Sequence, residues 1–187
     1  MNLAIKICSN ALILIGARPI QSFEDGTTEA SVAQSLYEVV RDSLLEEHPW
    51  KFTRDQYGPL SKINVVPKDK YRFAYQLPAD YANLRSVSIP FDHDIYKDKQ
   101  LLTDFDGKIF IEYQIKPSEV KLPAYFQLLL TYKLASDFSI PIREDASTAE
   151  KWAVKFEDQL KKARRTDGNQ VSSVLSKKGN PLIVVRG

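Results

Sequence analysis

Two histidines and a few carboxylate clusters are the residues of this chain whose types and spacing could support catalysis or metal binding. Acid–base or nucleophilic catalysis usually needs a histidine or a tuned carboxylate beside a nucleophile. His48 precedes a proline at a predicted helix end, where a structural role is expected. His93 lies between Asp92 and Asp94, a pattern that matches no established zinc spacing. The histidines therefore predict neither a catalytic centre nor a metal site.

The acidic clusters and the cysteine give no stronger indication of chemistry. Residues 104–107 (Asp-Phe-Asp-Gly) followed by Glu112 lack the spacing of a calcium loop and are typical of a turn. Glu46 and Glu47 are adjacent, and adjacent helical positions do not face each other across a cleft. Cys8 lies in an apolar stripe, as a small buried side chain does. We predict a protein that is not an enzyme, with no cofactor and no metal.

Composition limits the size and the environment of the protein. With 187 residues, of which 43% are hydrophobic, the chain can form one large or two small domains. Its 26 basic and 24 acidic residues leave a net charge of +2, which is too small to hold nucleic acid by itself. A single cysteine fits a reducing compartment. No run reaches the roughly 18 apolar residues of a membrane span, so we expect a cytoplasmic product without a membrane partner.

Helical patterns occupy both ends of the chain. Apolar positions repeat every three to four residues in four segments: residues 2–16, Thr27 or Thr28 to His48-Pro49, Pro123–Phe138 and Ser147–Arg165. Gly16 stands where a helix C-terminus favours glycine. Ser147 and Glu150 have the spacing of a capping box. The third segment is apolar around most of its circumference, so it should have neighbours on several sides.

Residues 57–115 differ from the ends, because short segments rich in Val, Ile, Tyr and Phe alternate with proline and Asp-Gly. Strands are predicted at residues 71–75, 84–89, 101–103 and 108–115, with residues 104–107 as a hairpin turn between the last two. The predicted fold class is α+β, a helical bundle of N- and C-terminal helices with an inserted small antiparallel β-sheet or barrel and an extended C-terminal tail. The predicted domains are a discontinuous helical domain (1–56 and 116–165), a β domain (57–115) and the tail (166–187).

The C-terminal tail combines positive charge with an apolar end. Residues 161–187 contain seven basic side chains and a single acidic one, Asp167, so the rest of the chain is mildly acidic. Such a tail predicts docking on an acidic partner or proximity to nucleic acid. Its apolar end could add to an exposed sheet edge. The predicted partner-binding residues are Lys177, Lys178, Leu182, Ile183, Val184, Val185 and Arg186.

Local strings between residues 2 and 167 carry a family resemblance. They are residues 8–17, 19–30 and 36–42, the run His48-Pro49-Trp50-Lys51-Phe52, residues 71–81, 101–104 and 111–113. The most specific are Arg41-Asp42 combined with His48-Pro49-Trp50, and the Gln-Leu-Pro-Ala-Asp string at residues 76–80. Together they resemble the tail tubular protein A family. The last twenty residues have no counterpart in this resemblance.

The resemblance implies a head-to-tail adaptor, or gatekeeper, of short-tailed bacteriophages. Twelve copies would form a ring between the portal protein and the tail nozzle protein, and phage DNA would pass through the channel without sequence-specific binding. Tail fibres are a further implied partner. The protein would be made in the host cytoplasm and reside in the virion. Independently of the resemblance, the charge and the apolar end of the tail lead us to expect that the tail residues bind portal. Tyr125, Leu129 and Tyr132, on the third helix, are predicted at the subunit interface.

Two alternatives belong to other functional classes. One is a nucleic-acid-binding accessory protein that uses the basic tail, for which a steep loss of DNA affinity with added salt would be diagnostic. The other is a tail enzyme that degrades cell-wall polymer. Such an enzyme needs a separated carboxylate pair in a cleft, for which Glu112 and Asp104 are candidates.

Overall fold

The structure is a computed structural model that describes residues 2–64, 70–97 and 99–169, except the side chain of Val120. In these ranges the protein is a mixed α and β structure, compatible with the predicted α+β class. The helices are α1 (Leu3–Leu14), α2 (Thr28–Glu47), α3 (Ala124–Arg143) and α4 (Ala146–Asn169). The strands are β1 (Arg54–Tyr57), β2 (Ser61–Ile63), β3 (Phe73–Gln76), β4 (Tyr81–Val87), β5 (His93–Tyr96), β6 (Gln100–Thr103) and β7 (Ile111–Ile115).

The chain divides into two compact units. The helical unit comprises the described residues up to Lys51 and from Leu122 onward, and the sheet unit comprises Phe52–Lys121. Within the helical unit, α3 contacts each of the other three helices. The interior of this unit holds large apolar side chains from all four helices, among them Ile7, Leu12, Tyr37, Phe126, Phe138 and Leu160.

The first two helices begin and end where local sequence signals predict. Gly16 follows α1 with a positive φ of 72°, a conformation that glycine adopts without steric cost. The Thr27 side chain accepts a hydrogen bond from the Ala30 amide and caps α2. α2 ends at Glu47, and His48 takes an extended conformation before Pro49.

The last two helices are longer than predicted. α3 continues past Phe138 and through Pro141 to Arg143, and it ends at Glu144 in the left-handed conformation. The predicted capping box at Ser147 is wrong, because the Asp145 carboxylate accepts the hydrogen bond from the Thr148 amide at 3.0 Å. α4 continues to Asn169, so residues 166–169 are helical rather than part of an extended tail. The remaining tail residues lie outside those that the structure describes.

The sheet unit contains two antiparallel sheets, with strand orders β1-β7-β4 and β2-β3-β6-β5. Strand β1 starts at Arg54, three residues before the predicted β domain, and His93 lies on β5, in a segment where no strand was predicted. Between β1 and β2 the chain passes so close to the residue before β7 that a Cβ on Gly58 would lie 2.8 Å from the Phe110 Cα. Only glycine fits at this position.

The predicted hairpin at residues 104–107 is wrong. β6 pairs with β3 and β5, whereas β7 pairs with β1 and β4, so the segment between them crosses from one sheet to the other. Contacts remote in sequence hold the crossing. The Tyr75 hydroxyl donates to the Phe105 carbonyl at 2.9 Å and accepts from the Gly107 amide at 3.2 Å. Buried side chains of both sheets form one cluster, which includes Tyr75, Leu101, Ile109, Ile111 and Tyr113.

Candidate functional site

Glu112 and Asp104, the carboxylates of the cell-wall-enzyme alternative, lie in different surroundings. Glu112 is on β7 and forms ion pairs with Arg54 on β1 and Arg85 on β4. The hydrogen bond from Arg54 is the main cause that holds the pKa of Glu112 below its ordinary value. Asp104 follows β6 and accepts the Arg72 amide at 3.0 Å. An ionised, arginine-paired glutamate suits a structural role better than that of a general acid.

The other residues whose side chains could take part in catalysis or metal binding also lie in structural environments. The His93 ring nitrogen Nδ1 lies 3.2 Å from the Phe91 carbonyl oxygen. Glu47 pairs with Arg164 of α4 at 2.8 Å. Cys8 is fully buried, and burial raises the pKa of its thiol to about 12. A buried, protonated thiol is unreactive.

A buried carboxylate that the sequence did not reveal organises one end of the helical unit. The two side-chain oxygens of Asp167 accept the Lys51 backbone amide at 3.1 and 2.9 Å, and Oδ1 also accepts the Tyr125 hydroxyl at 2.7 Å. His48 Nε2 lies 4.0 Å from the second oxygen. Burial raises the pKa of Tyr125 well above its ordinary value, and the bond to Asp167 adds to the shift. These bonds join the last turn of α4 to the start of α3 and to Lys51.

Trp50, the last residue of the His48-Pro49-Trp50 string, packs into the same end of the helical unit. Its side chain is fully buried, its indole nitrogen donates to the Leu44 carbonyl at 2.8 Å, and its ring forms a T-shaped contact with that of Phe126. The only sequence signal for Asp167 was its position as a lone acid in a basic segment. That pattern does not distinguish a solvated carboxylate from a buried one.

The three residues predicted at the subunit interface have different environments. Leu129 is fully buried in its own chain and exposes no side-chain surface to a second copy. Tyr125 is half-buried and bonded to Asp167. Tyr132 is half-buried, with its ring 5.3 Å from that of Trp152 on α4, and it also lines a surface groove. Of the three, only Tyr132 therefore lies at a candidate contact surface.

That groove, together with the exposed apolar side chains on it, is named here the α1/α3 face. Its volume is about 450 Å³, and it is lined by Ile7, Ile13 and Leu14 from α1 and by Leu128, Thr131 and Tyr132 from α3. Ile13 is 56% and Leu128 is 41% exposed. Lys6 is the charged residue among its described lining residues. The face is apolar with a basic edge.

A second groove of about 500 Å³ forms the α2/α4 face. Val39, Val40 and Leu44 from α2 and Ala153 and Phe156 from α4 supply its apolar lining, and Val39 is 66% exposed. Its charged lining residues are Glu47, Asp137, Glu157 and Lys133, of which Lys133 pairs with Asp137 at 2.7 Å. This face is apolar with an acidic edge.

Comparisons with known proteins add no relative. Neither protein-family models nor curated proteins match the chain. Within the described ranges, no helix combines the length and the apolar character needed to cross a membrane. The seven predicted partner-binding residues from Lys177 to Arg186 lie outside the ranges that the structure describes, so their role stays a prediction.

Proposed function

We propose that the chain is a structural virion protein, the head-to-tail adaptor of a short-tailed bacteriophage. Copies of it would form a ring, of twelve by the family resemblance, that joins the portal protein to the tail nozzle protein and surrounds the DNA exit channel. The proposal assigns no catalytic activity to the chain. It includes the finer architecture expected from the sequence, a helical bundle made by the two chain ends with the sheet unit inserted between them.

The observation that carries this proposal is the pair of apolar faces on the helical unit. Ile13, Leu128 and Val39 keep much of their side-chain surface exposed although the unit has a full set of buried residues. Contiguous apolar surface with a charged rim is typical of protein–protein contact sites. An adaptor needs such surfaces, because each copy contacts two neighbouring copies as well as the proteins above and below the ring.

Residues that carry the family resemblance occupy framework positions, which also supports the proposal. Trp50 is fully buried, and Arg41 is buried beside Asp42, to which it donates at 2.8 Å. In the sheet unit, Asp80 of the Gln-Leu-Pro-Ala-Asp string accepts the Tyr113 hydroxyl at 3.1 Å. Residues that hold a fold together are the ones that a shared architecture would retain, whereas catalytic residues would imply a shared reaction.

The channel proposal rests on charge as well as on resemblance. Four exposed cations, Lys161, Lys162, Arg164 and Arg165, lie in the C-terminal half of α4. Cations of this kind contact DNA phosphates without reading sequence. In the proposed assembly they favour passage of DNA rather than specific binding. The same residues are the specific support for the alternative of a nucleic-acid-binding accessory protein.

Electron microscopy of the purified protein, alone and mixed with the portal protein of the same phage, tests the proposal. We expect rings that add a layer of density to one end of the portal. A variant lacking residues 180–187 should keep its melting temperature and lose stable attachment to portal, since the tail is the predicted portal-binding segment.

Two results would count against this function. A full-length protein that leaves portal particles unchanged at every mixing ratio would contradict the adaptor role. DNA binding in the absence of portal, with an affinity that falls steeply as salt is added, would favour the accessory-protein alternative. A truncated protein that attaches normally would overturn the role of the tail only.

A further inference from the structure

We infer that the α1/α3 face of one copy binds the α2/α4 face of the next, so that copies associate through unlike faces. The inference rests on the proposed ring, for which it names the copy-to-copy interface. The occupant of each face is therefore a second copy of this chain.

The positions of the two faces on α3 are the first argument. Leu128 lines the α1/α3 face and Asp137 lines the α2/α4 face. They are nine residues apart, which is about two and a half turns of an α-helix, so they lie on opposite sides of α3. One copy thus presents its two apolar faces in opposite directions.

Opposite placement determines the kind of association. A two-fold dimer would pair a face with the same face and leave the other uncovered on each copy. Contact between unlike faces covers both, and it can continue from copy to copy until a ring closes. Contact between unlike faces is therefore the arrangement that leaves neither apolar face exposed in the assembly.

The charges at the two faces are the second argument. Lys6 is exposed at the α1/α3 face, whereas the α2/α4 face has the exposed Glu157 beside two ion pairs, Asp137 with Lys133 and Glu47 with Arg164. Opposite charges steer two unlike faces together, and like charges oppose the pairing of two acidic faces. Charge and apolar character therefore select the same partner, the other face of an identical chain.

Analytical ultracentrifugation of the full-length chain tests this interface with three glutamate substitutions. Leu128→Glu alters the α1/α3 face and Val39→Glu alters the α2/α4 face. Ile140→Glu is the matched control, because Ile140 is 59% exposed on α3 and lines neither groove. All three positions are helical and exposed, and glutamate is a good helix former. Unchanged melting curves would show that each variant is folded.

We expect the wild-type chain to self-associate within roughly 1–500 µM, and each groove variant to associate at least about tenfold more weakly. The control should stay within about twofold of wild type. An equimolar mixture of Leu128→Glu and Val39→Glu should form 1:1 dimers and nothing larger. Each copy in that mixture keeps one intact face, and the two intact faces are the complementary ones.

Three results would overturn the inference. The first is a wild-type chain that stays monomeric over the whole concentration range. The second is association that only one of the two groove variants weakens, which would indicate a two-fold contact between like faces. The third is a mixture of the two variants that stays monomeric.

The outcomes for the interface and for the adaptor role are separable. Association through the two faces without attachment to portal would leave the interface standing and contradict the adaptor role. If Leu128→Glu and Val39→Glu both formed rings as well as wild type and these rings attached to portal, the adaptor role would stand and the interface would be contradicted.

Discussion

At the scale of single residues, Asp167 has the most consequential environment in the helical unit. Its carboxylate is buried and accepts hydrogen bonds from Lys51 and Tyr125. Because Tyr125 donates a hydrogen bond to Asp167, an aspartate in place of Tyr125 would bring a second carboxylate towards the buried one. Loss of assembly in such a variant would reflect damage to its own fold, so Leu128 is the better position for a test of the interface.

We predict that Asp167→Ala lowers the free energy of unfolding by about 2–3 kcal/mol, because the Lys51 amide and the Tyr125 hydroxyl would each lose a buried acceptor. Denaturant unfolding, with alkylation of Cys8 as the readout, measures this effect, since Cys8 is the only cysteine and is fully buried in the same unit. The control is Asp158→Ala on the exposed side of α4, expected within about 0.5 kcal/mol of wild type. Equal stabilities of the two variants would show that the Asp167 bonds are not stabilising.

At the scale of elements, the start of α4 depends on a residue outside the predicted capping box. The Asp145 side chain accepts hydrogen bonds from the Thr148 hydroxyl and amide, and from the Ser147 hydroxyl. These bonds lower the pKa of Asp145 to about 2, and the two bonds from Thr148 contribute most to the shift. The carboxylate therefore stabilises the helix in its ionised form, near the positive end of the helix dipole.

We predict that Asp145→Ala lowers the melting temperature by several degrees at neutral pH, whereas Asp145→Asn, which keeps a capping oxygen, lowers it less. The folded pKa lies below the unfolded value of about 3.9, so the ionic contribution is present above about pH 4 and is lost as the pH falls towards 2. The acid-dependent loss should thus be smaller in Asp145→Asn than in wild type. Calorimetry between pH 7 and 2 measures both effects, and a larger loss in Ser147→Ala than in Asp145→Ala would restore the predicted capping box.

At the scale of the whole molecule, each unit contains a tyrosine whose hydroxyl is bonded to a carboxylate. Tyr113 in the sheet unit donates to Asp80, and Tyr125 in the helical unit donates to Asp167. Burial, followed by the bond to Asp80, raises the pKa of Tyr113 to about 12, and that of Tyr125 is raised further. The ordinary value is about 10. Both phenols therefore favour the folded state while they are protonated.

We predict a melting temperature that is constant from neutral pH to about pH 9 and that falls as the pH rises from about 10 through the folded pKa values. The direction follows because a group with a raised pKa contributes its full stability below the unfolded pKa and loses it above. The double variant Tyr113→Phe, Tyr125→Phe should start lower and fall less steeply. Circular dichroism across this range makes the comparison, and an identical alkaline fall in the double variant would exclude the two phenols as its cause.

Local signals in the sequence determined the beginnings and ends of α1 and α2, the presence of four helices in the described ranges and the β character of the middle of the chain. Thr27, Gly16 and the His48-Pro49 pair act on backbone groups within about four residues, so neighbouring sequence is sufficient to interpret them. The sequence likewise indicated that α3 has neighbours on several sides. It also indicated Tyr132 as a contact residue, which remains a prediction.

Only the tertiary structure decided which strands pair and which polar and apolar side chains stay exposed. β6 pairs with β3 and β5 instead of forming a hairpin with β7, and the Tyr75 hydroxyl donates to the Phe105 carbonyl in the segment between β6 and β7. Asp167 is buried beside hydrogen-bond donors that belong to residues far away in sequence. Periodicity places Leu128 and Leu129 alike on an apolar helix, and the packing of the other three helices on α3 leaves the first exposed and buries the second. Such outcomes depend on partners that are distant along the chain, and no local pattern contains them.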